Sequence, residues 1–344
     1  MVRDHFRTQA AACRELGSPF TAQLLELMAE RLSDRTPLGR TILNWPGNPK
    51  ADALALRLAG GLHALVLSGA SPTLAAAYPR ESTADDPEYL WRALGDVLTT
   101  QADFLMRFLD RPPQTNEVAR AAVLAGGFLT VAAETGLPLA LLEIGASAGL
   151  NLHWDAYAYD FGGVRWGSHQ APVQLTPNWR GNQPPLDPVR VHLRAGCDRN
   201  PINVQDANAR LRLRAYVWAD QTERLRRLDA ALGHAIRAGL RIAQADAADW
   251  AKRSLAEMAT GRATVLFHSI VWQYLPRQTQ TSIKRVIEQA AARAKPDAPV
   301  AWLRMEPAAT GGSAQLRLTL WPDGRERLLA HADFHGRWVA WEGD

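Results

Sequence analysis

Cysteine and lysine are both scarce in this chain. Only Cys13 and Cys197 are cysteines. They form no CxxC pair, which excludes a disulfide framework and suits a reducing compartment. Lysine occurs only at Lys50, Lys252, Lys284 and Lys295, so the mild formal charge of +4 is carried almost wholly by arginine. With the abundant alanine, this reads as coding bias rather than a binding device. The nearest approach to a basic stripe is Arg210, Arg212, Arg214, Arg224, Arg226 and Arg227. Its spacing reads as the solvated face of helices, which points away from a nucleic-acid partner. Long apolar runs are missing too. None approaches the ~18 residues of a membrane span, and the first residues, MVRDHFRTQAAACREL, lack the apolar stretch of a signal peptide. The expectation is a cytoplasmic protein with no membrane partner. Nothing specifies an oligomeric state.

What is present is ordinary globular material: 344 residues, 47% hydrophobic and 22% charged. That length exceeds the usual roughly 100–200 residues of one domain, so two domains, or one with large additions, are expected. Residues 1–113 read as a helical N-terminal region. Leu54, Leu58, Leu62, Leu65 and Val66 form a helical stripe. Asp86-Pro87-Glu88 is a helix start: a capping side chain, a proline whose missing N–H costs nothing, then an acid near the positive end of the dipole. Pro112-Pro113 closes the region.

Residues 114–344 have a different texture. A helix over about 116–134 stops at Gly136 and Pro138. Short apolar runs follow at Leu139–Ile144, Val189–Leu193, Leu240–Ala243, Ala263–Phe267 and Pro299–Met305. Between them lie amphipathic helices, over about 221–237 with the capping box Asp220-x-x-Glu223, and over about 276–294. Strands alternating with helices imply a parallel sheet. LRLTLW, the turn Pro322-Asp323-Gly324, RERLLAH and RWVAW then read as antiparallel strands at the C-terminal end. The predicted class is therefore α/β, a mostly parallel Rossmann-like sheet with antiparallel strands at the C-terminal end and an all-helical N-terminal region.

The stretch LLEIGASAGLN carries the chemistry. A strand ending in closely spaced glycines before a helix lets backbone N–H groups approach a ligand. Gly145-Ala-Ser147-Ala-Gly149 matches the GxSxG elbow of serine hydrolases, but that elbow sits mid-sheet, and only helices precede Leu139. His331 and His335 are the histidines that keep this reading open. A dinucleotide fingerprint would need glycines where Ser147 and Leu150 stand. An acid-x-Gly-x-x-x-Gly turn after the first strand is the methyltransferase arrangement, in which Glu143 faces the ammonium of the methionine part of S-adenosylmethionine.

Later strand ends supply the rest, since ligands of open α/β sheets bind there. Gly145, Ser147, Gly149 and Asn151 line the cofactor turn. Asp198 is placed for two ribose hydroxyls, and Asp246 with Ala247 for the adenine amine. Ser269, Trp272 and Tyr274 follow the fourth strand. Asp246 and Asp249 can equally be helix caps. Methyl transfer needs the nucleophile in line with the sulfonium carbon, and a base only when the acceptor carries a proton. His268 and Glu306 are the candidate bases, or else structural hydrogen-bonding groups. Gln114 and Asn116 are candidates for the methionine carboxylate or the acceptor, or else a helix cap. The expected acceptor is a small molecule. His331-x-Asp333-x-His335 has ligand character but falls in a hairpin, and no metal is expected.

The segments PPQTNEVAR, LLEIGASAGLNL, RAGCDRNP, FHSIVWQYLP and WLRMEP together resemble an uncharacterised bacterial domain-of-unknown-function family with a methyltransferase-like core. The likeness covers nearly the whole chain and implies that fold, with no established substrate. Two features depart from the general pattern. Asp198 lies 49 residues past Gly149, which implies an insertion at about 151–188, and little room remains for a helix between Glu306 and Leu316. The insertion is rich in aromatics, Trp154, Tyr157, Tyr159, Phe161, Trp166 and Trp179. They read either as a cluster pinning a loop to the sheet or as a wall over the transfer site, with Trp154 as a substrate contact.

Overall fold

In a computed structural model, residues 1–79 and 86–343 are described. The chain runs through helices α1 (Val2–Glu15), α2 (Pro19–Arg31), α3 (Pro37–Leu43), α4 (Leu54–Leu67), α5 (Pro72–Ala77), α6 (Pro87–Thr100) and α7 (Ala102–Leu109). After α8 (Ala121–Thr135) come strands β1 (Leu139–Ile144), β2 (Ala158–Asp160), β3 (Arg165–Trp166), β4 (Gln174–Leu175), β5 (Asn178–Arg180) and β6 (Val191–Asp198). Then follow α9 (Ala207–Ala215), α10 (Thr222–Ala238), β7 (Ala243–Gln244), α11 (Ala247–Ala256), β8 (Ala263–Ser269), α12 (Arg277–Ala291), β9 (Val300–Pro307), β10 (Ala314–Trp321), β11 (Glu326–Ala332) and β12 (Trp338–Trp341). These elements group into two compact units, Met1–Thr115 with Asp206–Arg226, and Asn116–Gln205 with Arg227–Asp344.

The first unit is helical among its described residues, and residues 80–85 of the expected helical region lie outside them. Its core is built from Phe6, Leu25, Met28, Leu58, Leu62 and Leu94. Asp86 caps α6 as its sequence predicts, accepting from the backbone N–H groups of Glu88 and Tyr89. Asp220 behaves differently. Its carboxylate accepts from Ser18 Oγ (2.5 Å) and from the N–H of Phe20 (3.0 Å). It thus serves the N-terminus of α2, where local sequence suggested a capping box for the helix that follows it. α9 belongs to this unit as well, and Tyr216 lies against Gly60 of α4, where a Cβ would come within 2.6 Å of the ring.

The second unit is a nine-stranded sheet ordered β5-β12-β11-β10-β9-β8-β1-β6-β7. From β7 to β9 all pairings are parallel, while β9 to β12 pair antiparallel. Taken in chain order, the parallel strands are arranged 3-2-1-4-5. The order reverses between β1 and β8, which defines the switch point of a doubly wound, Rossmann-like sheet. Leu142 and Ile144 of β1, Leu266 of β8 and Trp302 of β9 pack with Trp250 and Leu255 of α11 and Ile283 and Ile287 of α12. Because strand side chains alternate, Glu143 and Phe267 belong to the opposite face, where Phe267 meets Phe128 of α8 edge-on at 4.9 Å. α8 lies close to that face. A Cβ on Gly126 would strike Trp341, and one on Gly127 would strike Leu303. The helical segment Val118–Thr135 is the one among the described residues long and apolar enough to cross a membrane, but 78% of it is buried inside the protein.

Several sequence expectations shift in detail. The second parallel strand runs to Asp198 rather than ending at Leu193, so it carries its acid inside the strand. The third shrinks to Ala243–Gln244. No helix separates β9 from β10. Gln315 of β10 pairs directly with Glu306, forming a hairpin. The insertion forms a three-stranded sheet, β3-β2-β4, and then supplies β5, which pairs parallel to β12 at the sheet edge. Phe128, Trp154 and Trp166 stack in series, and Phe161, Trp179 and Trp341 continue the contacts onto the sheet. The aromatics therefore pin the insertion.

Candidate functional site

The switch point lies at the end of β1. Gly145 (φ +68°), Ser147 (φ +55°) and Gly149 (φ +73°) all take the left-handed conformation, which turns the backbone sharply before the helical segment 150–156. Asn116 holds this turn, its Oδ1 accepting from the N–H groups of Ala148 (3.2 Å) and Leu150 (3.0 Å). Asp198, on the neighbouring strand, accepts from the N–H of Ser147 through Oδ2 and of Asn200 through Oδ1, both at 2.9 Å. Each carboxylate oxygen keeps a second lone pair. The missing Cβ atoms of Gly145 and Gly149 give room to the chain's own hydrocarbon. A Cβ would meet Val271 at 2.5 Å and Ile242 at 2.6 Å, respectively.

The polar side chains of this turn are less well satisfied. Glu143 is 2% exposed, and among the described residues its Oε2 has no hydrogen-bond partner. The same holds for Ser147 Oγ and Asn151 Oδ1, on residues 6% and 1% exposed. Burial pushes the Glu143 carboxyl well above the usual carboxylate range, the charge of Asp198 adds to that, and Arg120 opposes it. Buried polar atoms are nearly always paired, so three unpaired ones within residues 143–151 mark a place suited to a polar ligand. Among the described residues no imidazole lies within hydrogen-bond reach of Ser147 Oγ, and an imidazole is the partner a hydrolytic serine needs.

Arg120 carries a role that the sequence did not suggest. Its Nε donates to the carbonyl of Phe334 (2.9 Å) and one terminal nitrogen to the carbonyl of Ser269 at the end of β8 (3.4 Å). It thereby ties the strand end to the β11–β12 turn and brings a cation into the field of Glu143. A lone arginine inside a helical pattern gives no sequence signal of such a role.

His268 and Glu306 do come together. His268 is fully buried, with Nδ1 2.7 Å from Glu306 Oε1. Trp302 Nε1 lies 3.2 Å from His268 Nε2, and Trp272 stacks on the ring at 5.0 Å. By strand alternation the pair belongs to the α11/α12 face with Leu266 and Trp302, opposite Glu143. Glu306 Oε1 also accepts from the N–H groups of Val271 (3.1 Å) and Trp272 (3.2 Å). The arrangement fixes the loop after β8, and both ring nitrogens are occupied.

The other candidates spread more widely. Asp246 is the N-cap of α11, its Oδ1 accepting from Ala248 (2.9 Å) and Asp249 (3.5 Å), and Ala247 is the first residue of that helix. Trp154 is wholly buried between Phe128 and Trp166, so it presents no face to a ligand. Tyr274 is 74% exposed. Gln114 falls in the first unit, while Asn116 opens the second. Asp333 is committed to Arg337 and to the N–H of His335, and among the described residues no group of three or more His, Cys, Asp or Glu side chains could hold a metal ion.

Comparison with known proteins returns no matching curated protein and no matching solved structure. A family model covers residues 3–341, both units together, and the chain belongs to that family, described as "Uncharacterized protein conserved in bacteria (DUF2332)".

Proposed function

We propose that this protein binds S-adenosylmethionine at the carboxyl edge of its parallel sheet and transfers the methyl group to a small-molecule acceptor. The observation that carries this reading is the buried, unpartnered Glu143 Oε2 at the switch point, with Ser147 Oγ and Asn151 Oδ1 nearby in sequence. An ammonium group would give Glu143 the counter-charge and hydrogen bonds it lacks. The residues fit the rest of the group as well. Asp198 has lone pairs left for ribose hydroxyls, and among the described residues no hydrogen bond occupies Oδ2 of Asp246. When bound, the cofactor supplies a methyl group activated on a sulfonium, so positioning and exclusion of water provide most of the acceleration. The chain's part is to hold the zwitterionic end through Glu143, keep the turn in shape through Asn116, and fix the loop after β8 through Glu306.

His268, with both ring nitrogens engaged and no exposed surface, is not set up to take a proton from an acceptor. That favours an acceptor that carries no proton to remove at neutral pH. It equally keeps open a second reading, a module that binds the nucleoside without catalysis. Isothermal titration with S-adenosylmethionine and S-adenosylhomocysteine tests both. The expected result is saturable one-to-one binding, weakened at least about tenfold (about 1.4 kcal/mol) in Glu143→Gln. Absence of binding to the parent protein would sink both readings. Transfer of a labelled methyl group into a metabolite extract separates the enzyme from the module.

A further inference from the structure

The first unit contains a pocket of about 300 Å³ between the end of α7 and the start of α9. It is lined by Phe104, Arg107, Phe108, Arg111, Leu211 and Arg212 among others. Three features set it apart from an ordinary surface dimple. First, its charge is one-sided. Among the described residues no carboxylate lies within ion-pair distance of Arg107, Arg111 or Arg212. The one acid in the lining, Asp206, turns its Oδ1 to its own helix, accepting from Asn208 (2.8 Å) and Ala209 (3.4 Å).

Second, Arg212 is held rigidly. One terminal nitrogen reaches the carbonyls of Phe108 (3.1 Å) and Arg111 (2.9 Å) and the hydroxyl of Tyr216 (3.2 Å). Its guanidinium carbon sits 4.2 Å over the Phe108 ring. Partial burial lowers its pKa from the usual arginine value, with the charges of Arg111 and Arg57 adding and Tyr216 and Asp110 opposing. A cation in this position would gain from an anion beside it. Third, the wall behind the arginines is aromatic. Phe104 and Phe108 lie with centroids 5.9 Å apart, and Phe108 contacts Tyr216 at 5.7 Å.

The bland account is that Arg212 caps the last carbonyls of α7 while Arg107 and Arg111 point into solvent. Capping accounts for one guanidinium nitrogen. It does not account for three cations lining one cavity in which, among the described residues, the one acid has Oδ1 engaged by its own helix. A guanidinium presents a planar fork that matches phosphate or carboxylate oxygens, and aromatic walls favour a flat ring beside them. The volume sits at the lower end of small-molecule sites.

The geometry points to a second ligand site in this protein, at Arg107, Arg111 and Arg212, for a small organic anion in which a phosphate or carboxylate is joined to a flat apolar ring. The site belongs wholly to the helical unit and is independent of the reading given for the sheet.

The test uses titration calorimetry on the full chain, with phenyl phosphate as probe and inorganic phosphate and phenol as comparisons. Phenyl phosphate is expected to bind saturably, also in the presence of S-adenosylhomocysteine. Phenol should not bind, and inorganic phosphate should bind at least about tenfold more weakly. The double variant Arg107→Glu, Arg111→Glu changes two exposed side chains for which no side-chain hydrogen bond or ion pair is found among the described residues. Its melting temperature should match the parent while phenyl phosphate affinity falls at least about tenfold. Equal affinity in that variant would overturn the site, as would the absence of saturable binding to the parent. Phenol binding as tightly as phenyl phosphate would remove the anion from the claim, and inorganic phosphate binding as tightly would remove the ring.

Discussion

Trp302 Nε1 donates to Nε2 of His268, and His268 therefore donates from Nδ1 to Glu306. An indole nitrogen can only donate, so the 3.2 Å contact with Trp302 requires the proton to sit on the far ring nitrogen, where Glu306 Oε1 accepts it at 2.7 Å. The relay runs from β9 to β8 and back to β9, then into the loop after β8 through the N–H groups of Val271 and Trp272. It is a positioning device for the loop that faces Gly145.

Glu306→Ala removes one acceptor and leaves three donors without it: His268 Nδ1, Val271 N and Trp272 N. At ~1–3 kcal/mol for each unmade buried hydrogen bond, with water reaching some of them, the loss of stability should be at least about 3 kcal/mol. Glu306→Gln keeps an acceptor oxygen and should lose less than half of that. Chemical denaturation of the two variants checks the ordering. If Glu306 were a base with no structural part, both would be as stable as the parent.

Glu143 gives a prediction of opposite sign. Its folded pKa is raised by burial, so between the unfolded value near 4.5 and the folded one the native state holds a proton that the unfolded state has released. Stability therefore falls as pH rises through that window. Glu143→Gln should flatten the slope above about pH 6.5 and raise the melting temperature at neutral pH, by roughly 1–2 °C for each kcal/mol recovered in a chain of 344 residues. The same variant should bind S-adenosylhomocysteine less well, the usual conflict between stability and function at a binding residue. A melting temperature that is lower at neutral pH and keeps the parent's pH slope would show that Glu143 is satisfied in solution.

The parallel sheet was legible because its strands are short apolar runs between glycines and helices, and LALLEIGASAG names both the strand and the turn. The same pattern puts Glu143 and Asp198 near the carboxyl ends of neighbouring parallel strands, where the structure has them. Other features left no such mark. Asp220 resembles a local capping box, yet its carboxylate serves Ser18 and Phe20, about two hundred residues away, and no periodic pattern encodes such a contact. β5 is three residues long and joins the sheet through backbone pairing and one ring stack, Trp179 on Trp341. Arg120 works through carbonyl groups, which every residue carries, so its partners leave no trace in the sequence.

Asn116 reads in sequence as a ligand contact or a cap of its own helix, and its side chain instead serves a turn more than thirty residues away. Through one side-chain oxygen it satisfies two backbone donors of the switch-point turn. Asn116→Ala should cost roughly 2–4 kcal/mol, from two unmade bonds at ~1–3 kcal/mol each, part of it recovered by water. Asn116→Asp, which keeps the acceptor, should restore most of the stability. Hydrogen exchange at the Ala148 and Leu150 amides reports the effect directly. Protection of both amides is expected to drop in the alanine variant and persist in the aspartate one, and unchanged protection in Asn116→Ala would show that other groups hold the turn.

Two buried histidines set the acid limit of the fold, one in each unit. His63 is 6% exposed and His153 4%. Burial lowers both to about 4 from the ordinary 6.5, opposed at His63 by the carbonyls of Ala215 and Val217 and reinforced at His153 by His234 and Arg194. In the window from about 6.5 down to about 4 the unfolded chain takes up a proton at each position that the folded chain refuses. The histidine contribution to stability is therefore intact above about pH 6.5 and is lost as pH drops. The full effect amounts to about 3 kcal/mol per histidine, because each tenfold loss of proton affinity on folding is worth ~1.4 kcal/mol. Urea melts at successive pH values should show this slope in a Glu143→Gln background, which removes the opposing proton uptake of the buried carboxyl. His153→Gln should halve it, because the amide cannot take the proton, while leaving the His63 part in place. A stability profile flat from about pH 6.5 to about pH 4.5 in the Glu143→Gln background would mean that both rings reach water in solution.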